Sequence, residues 1–147
     1  MRQLVLVLGA AGQLGEAMVE GLGAGYEVVA RTRTDLDVTV PDAVRSAIQT
    51  ICPDLIVNCA AFTDVDRAEL EPERALDVNA WAVRTLARAA NDVDATLVHF
   101  STDFVFDGET STAYVETDTP NPRGVYAASK LIGEWLAAEV PRHYVLR

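Results

Sequence analysis

The sequence predicts an α/β fold, a doubly wound parallel sheet with helices on both faces. Two observations carry this. Short, wholly apolar runs, suited to strands buried on both faces, alternate with segments whose apolar residues recur at helical spacing. The first such run also leads straight into a glycine-rich turn and then a helix, the order of a parallel βαβ unit. With 147 residues, 50% hydrophobic and 23% charged, the chain suffices for one globular domain over 1–147 with a sizeable core.

Leu4-Val5-Leu6-Val7-Leu8 is the first strand, ending at glycine. Gln13 to Leu22 reads as a helix with Leu14, Ala17, Met18 and Leu22 at helical spacing, closed by Gly21, Gly23 and Gly25. Tyr26 to Ala30 is the second strand. Pro41 opens a helix at its favoured first position, with Val44, Ala47, Ile48 and Ile51 on one face. Leu55-Ile56-Val57 is a buried strand. One long helix is expected from Glu71 to Asn91, with Ala75, Leu76, Val78, Ala82, Leu86 and Ala89 turned inward. Ala95 to Phe100 is a strand. Asp107 to Arg123 has no period and reads as an ordered loop or lid. Tyr126 to Glu139 is the last helix, and Tyr144-Val145-Leu146 begins a further strand. The chain therefore reads as cut after the start of a sixth strand, with no substrate-binding half following.

Lys plus Arg number 12 and Asp plus Glu 22, a net charge of −10. That balance disfavours nucleic acid and anionic membrane surfaces as partners. No apolar run approaches the ~18–20 residues of a membrane span. Cys52 and Cys59 form neither a metal motif nor a redox pair, and read as small buried hydrophobes in a reducing cytoplasm. His99 and His143 read as core or edge residues, so no metal site is assigned. Trp81 and Trp135 fall on helix patterns and read as packing. Asp64, Asp66, Glu69, Glu71 and Glu73 precede or open a helix, where they suit its dipole.

Gly9-Ala10-Ala11-Gly12-Gln13-Leu14-Gly15 is a G-x-x-G-x-x-G pattern between a strand and a helix. Gly9 permits the sharp turn, Gly12 admits a pyrophosphate close to the backbone, and Gly15 lets helix and strand pack closely. Free N–H groups at the helix start then face the anion. The sheet is therefore expected to be Rossmann-like and to bind a nicotinamide dinucleotide. Arg31 and Arg33 follow the second strand, where an acid would take the ribose 2′-hydroxyl of NAD. Two guanidinium groups suit a 2′-phosphate instead, favouring NADPH, with NADH left open.

Tyr126-Ala127-Ala128-Ser129-Lys130 is Y-x-x-x-K, which puts both side chains on one helix face. An ammonium near a phenol favours the phenolate and eases proton exchange. Thr102 follows a strand at the carboxyl edge of the sheet, placed to donate to a carbonyl oxygen as charge develops. Thr102, Tyr126 and Lys130 together resemble the Ser/Thr-Tyr-Lys set of the short-chain dehydrogenase/reductase superfamily, and the glycine spacing resembles its extended branch acting on nucleotide sugars.

Within that branch the resemblance is to the dTDP-4-dehydrorhamnose reductase family. It is carried by Pro53 to Glu69, by Ser101-Thr102-Asp103-Phe104-Val105-Phe106-Asp107-Gly108, and by Glu116 to Pro120 leading into Tyr126 to Glu134. It implies NADPH-dependent reduction of the 4-keto group of dTDP-4-dehydro-L-rhamnose to dTDP-L-rhamnose. Tyr126 would protonate the oxyanion, Lys130 would favour the phenolate and hold ribose, and Thr102 would orient the carbonyl. It further implies adenine contacts at Asp37 and Val38, a cleft lined by Ala60, Ala61 and Thr63, and Asn79 near the nicotinamide. Thr102, Asp103 and Phe104 would face the substrate.

Three departures stand out. Phe104 occupies a position usually Tyr, Ala127 one usually Gly, and the family is about twice as long. The glutamate that dehydratases of this branch carry after the Thr-Asp pair is missing, which argues against water elimination. Two alternatives remain: a non-catalytic NADP-binding module resembling the regulatory subunit of methionine adenosyltransferase, and an epimerase, against which Arg31 and Arg33 count. A homodimer stays open.

Overall fold

The computed structural model describes residues 2–147. Five strands, β1 (Leu4–Leu8), β2 (Glu27–Arg31), β3 (Leu55–Asn58), β4 (Thr96–Phe100) and β5 (His143–Leu146), form one sheet in the order β2-β1-β3-β4-β5. Every pairing is parallel, with Leu6 opposite Val29 on one side and Ile56 on the other. The helices are α1 (Gln13–Gly23), α2 (Pro41–Ile51), α3 (Val65–Leu70), α4 (Pro72–Leu76), α5 (Ala82–Asp92) and α6 (Val125–Ala137).

Successive strand residues point to opposite faces, which is why β1 is apolar throughout. Leu6 and Leu8 join Val44 and Ile48 of α2, Val83 and Leu86 of α5, and Leu97 in the larger core. Val5 and Val7 turn the other way and pack with Val57 against Met18, Val19 and Leu22 of α1. All four β1 residues are fully buried, so truncating Leu6 to alanine would cost ~2–5 kcal/mol. The chain runs from β1 outward to β2, then returns to β3 on the other side. This reversal opens a crevice beyond the carboxyl ends of β1 and β3, the place where doubly wound sheets take ligands.

Several expectations are corrected. The sheet among the described residues has five strands, and His143–Leu146 is the fifth, not the start of a sixth. Beyond β2 the chain makes turns instead of an outer strand. Asp35 accepts from the Thr32 N–H and Asp37 from the Thr39 N–H, while Leu36 and Val38 insert into the core. The expected helix from Glu71 to Asn91 is broken. α3 starts earlier, α4 follows Pro72, and a π-helical turn (Asp77–Trp81) joins α4 to α5. Trp81 and Trp135 are 48% and 63% exposed, so neither is a core packing residue. Cys52 is exposed, in the left-handed position that ends α2 (φ 49°). Cys59 is half-buried, and burial pushes its thiol up to about 11.

The 107–123 segment is an ordered loop built around Asp107. Its carboxylate accepts from Asn121 Nδ2 (2.9 Å), the Glu109 N–H (3.0 Å) and the Tyr114 hydroxyl (2.7 Å). These bonds, Asn121's foremost, hold it down at about 2. Phe106 stacks on Tyr114 with centroids 4.2 Å apart.

Candidate active site

Gly9 and Gly15 take the tight turn and the close packing that the glycine spacing predicts. Gly9 has φ 71°, and a Cβ there would lie 2.7 Å from the Ala60 nitrogen. A Cβ on Gly15 would strike the Gly9 carbonyl, so Gly15 is buried packing between loop and helix and does not line the cleft. Gly12 caps α1 with no side chain on its N–H groups, which leaves them free for an anion.

A cleft of about 350 Å³ runs from this loop along the β2 end, lined by Gly9, Ala11, Gly12, Arg33, Leu36, Asp37, Val38, Ala60 and Ala61. A second cavity of about 340 Å³ shares Gly12, Cys59, Ala60 and Ala61 with it. There Gln13, Leu14, Thr63, Phe100, Ser101, Tyr126 and Lys130 complete the wall. The glycine loop and the Tyr–Lys pair therefore border one continuous crevice. On the far side of Tyr126 a third cavity of about 450 Å³ is lined by Asp103, Phe104, Tyr114, Arg123 and Gly124, among others. Phe104 meets the Tyr126 ring edge-on at 6.0 Å.

Lys130 is 2% exposed, and its ammonium donates to the Phe100 carbonyl at the end of β4. Burial lowers it to about 8, and the Glu134 charge works against that drop. Glu134 is itself buried. It accepts from the Ser101 hydroxyl and from both ends of the Arg147 guanidinium (2.9 and 2.6 Å). Thr102 lies at the rim between the second and third cavities without lining either. Its hydroxyl oxygen accepts from the Phe104 N–H at 3.2 Å.

Two of the expected residues take other places. Arg31 folds its guanidinium onto the Ala30 carbonyl (3.1 Å) and does not line the cleft, whereas Arg33 does, ion-paired to Asp37 at 3.5 Å. Asn79 is 1% exposed and faces no cavity. Its Oδ1 accepts from the Phe62 N–H (2.8 Å), and its Nδ2 donates to the Phe62 carbonyl (2.9 Å) and Ser129 Oγ (3.0 Å). Every polar atom of that amide is used, so Asn79 clamps the 60–63 wall to α6 from behind. The π-helical turn that carries it accounts for its inward aim. Ser101, Ser129 and Glu134 carry no catalytic signature of their own in the sequence. The one signal available was helical: Glu134 stands four residues after Lys130, and Ser129 directly precedes it.

His99 is fully buried behind this crevice. Nδ1 faces Asn58 Nδ2 at 3.2 Å, so it acts as the acceptor, and Nε2 has no partner. Burial and, secondarily, the Lys130 charge drive its pKa down to about 3. No helix among the described residues is long and apolar enough to cross a membrane.

Crevice, glycine loop and Tyr–Lys helix together define a Rossmann-like domain of the short-chain dehydrogenase/reductase type. Residues 1–147 match the family described as RmlD substrate binding domain, and the chain belongs to that family. It is 43% identical to dTDP-4-dehydrorhamnose reductase of Aggregatibacter actinomycetemcomitans over 97% of this chain and 50% of that protein. It superposes with a TM-score of 0.96 and 37% identity on the Bacillus anthracis dTDP-4-dehydrorhamnose reductase in complex with NADP, covering 99% of this chain and 52% of that one. A UDP-glucose 4-epimerase from Thermus thermophilus, complexed with NAD, gives a TM-score of 0.83 at 26% identity over 92% of this chain and 50% of that one. The chain spans about half the length of the curated relatives it matches.

Proposed function

We propose that the chain is the dinucleotide-binding half of an NADPH-dependent reductase that converts the 4-keto group of dTDP-4-dehydro-L-rhamnose to the alcohol of dTDP-L-rhamnose. One observation supports it above the rest: the phosphate-type glycine loop and the Tyr126–Lys130 pair line a single crevice. Relatives at about 40% identity bear the reductase name, and a structure of one carries NADP.

The crevice suits the dinucleotide. Gly12 leaves room and free N–H groups for the pyrophosphate, Asp37 and Val38 border the adenine end, and Arg33 is the guanidinium available to a 2′-phosphate. A nicotinamide held in this crevice would supply the hydride. Tyr126, between the second and third cavities, gives its hydroxyl proton to the sugar oxyanion. Lys130, on the same cavity wall as Tyr126, stays charged below about pH 8 and is placed to hold the ribose. The Thr102 hydroxyl accepts from the Phe104 N–H at 3.2 Å and donates to Asp103 Oδ1 over a long 3.3 Å; a substrate carbonyl takes over that hydrogen bond from Asp103. Asp103 and Phe104 face the sugar side.

The test is NADPH oxidation by the full-length protein. Turnover with dTDP-4-dehydro-L-rhamnose and none with UDP-glucose is expected. NADPH binding without oxidation by any 4-keto nucleotide sugar would contradict the proposal.

A further inference from the structure

We infer that Glu69 is a positioning residue for Tyr126, acting as the N-terminal cap of α6 from another helix; this rests on the reductase reading above. α6 begins at Val125, one residue before Tyr126; its cap position, Gly124, has no side chain to cap it, and its first turn holds no acidic residue. Such an end leaves N–H groups without partners and a positive dipole without a counter-charge.

Glu69 supplies both. Its Oε1 accepts from the Val125 N–H at 2.7 Å, across 56 residues of chain. Gly124 makes room for it, because a Cβ there would lie 2.8 Å from that same oxygen. The φ of Gly124 is 171°, open to any residue, so space and not conformation explains the glycine.

The placement makes no sense for Glu69's own helix. It stands next to the last residue of α3, the end whose dipole repels a carboxylate. The expectation that Glu69 precedes a helix and suits that helix's dipole is therefore replaced: it lies inside α3, near its C-terminal end. Ala68, fully buried beside it, anchors α3, and α3 follows directly from the 60–63 wall of the crevice. Glu69 thus ties that wall to the start of the helix carrying Tyr126 and Lys130. It also borders the third cavity beside Tyr126.

Steady-state kinetics of the full-length protein test this, with Glu69→Ala, Glu69→Gln and Gly124→Ala. A small misplacement of the reacting group lowers kcat without loosening the cofactor, so Glu69→Ala should lose ~10-fold in kcat with the KM for NADPH changed less than about two-fold. Glutamine keeps an acceptor and should recover at least half of the logarithmic loss. Gly124→Ala pushes the carboxylate off the Val125 N–H and should fall between them, which also covers the case in which Glu69→Ala does not fold. Amide exchange at Val125, which needs no turnover, should speed up in Glu69→Ala.

Unchanged kcat in Gly124→Ala or Glu69→Ala overturns the inference. So does an equal loss in Glu69→Ala and Glu69→Gln, because the acceptor on the Val125 N–H would then contribute nothing. Turnover retained by Tyr126→Phe would instead sink the parent reading, and Val125 exchange would still judge the cap.

Discussion

Replacing His99 with leucine separates two consequences of its burial. An unfolded imidazole takes its proton near 6.5, whereas the folded one resists until about 3. Between those values the unfolded chain binds the extra proton, so stability falls as pH falls. At ~1.4 kcal/mol per unit the full gap is worth roughly 5 kcal/mol, and at about pH 5 roughly 2 kcal/mol has already gone. Leucine abolishes this titration. It also strands Asn58 Nδ2, whose partner is His99 Nδ1, at about 1–3 kcal/mol. His99→Leu should therefore be less stable than the parent at pH 7, about equal near pH 5 and more stable near pH 4. Urea unfolding followed by tryptophan fluorescence across that range is the assay. The carboxylates titrate in both proteins and cancel in the difference. A difference that stays constant from pH 7 to 4 would refute the reasoning.

Three further outcomes are expected. Arg33→Ala should weaken NADPH ~10- to 100-fold, a charged hydrogen bond's worth, with little effect on NADH; Arg31→Ala should change neither, and titration calorimetry decides. The pH profile of kcat/KM should fall as pH rises through about 8, where Lys130 loses its proton. Glu134→Gln removes the charge that opposes that loss and should shift the falling limb to lower pH. Asn79→Ala frees both backbone groups of Phe62 and Ser129 Oγ; a fall in stability of about 2–4 kcal/mol in urea is expected, and a loss below about 0.5 would remove its clamping role.

The strands and the glycine loop were legible because burial on both sheet faces and a sharp turn each demand residue types that leave a local trace. Leu4–Leu8 and Gly9–Gly15 show this at the first β–α junction. The π-helical turn at Asp77–Trp81 left none. Val78 continues the apolar period between Ala75 and Ala82 as in an ordinary helix, and only tertiary bonds from Asn79 to Phe62 and Ser129 reveal the bulge. Leu36 and Val38 lie outside any periodic run of the sequence, yet they close the core beside β2. Trp81 and Trp135 obey helical spacing but lie toward solvent, because periodicity fixes a face and not what covers it. Motif spacing put Tyr126 and Lys130 on one helix face, and both line one cavity. Which of two neighbouring arginines turns into the crevice, and what a glutamate 56 residues away holds, depend on contacts distant in sequence.

The most direct test of the central claim, that one crevice binds the dinucleotide and presents Tyr126 to the substrate, is a paired measurement on Tyr126→Phe in the full-length protein. Its NADPH dissociation constant should match the parent's, because the ring stays and only the hydroxyl is lost. Its turnover on dTDP-4-dehydro-L-rhamnose should drop at least ~100-fold, the lower end of what a positioned general acid contributes. Turnover within a few-fold of the parent would contradict the account.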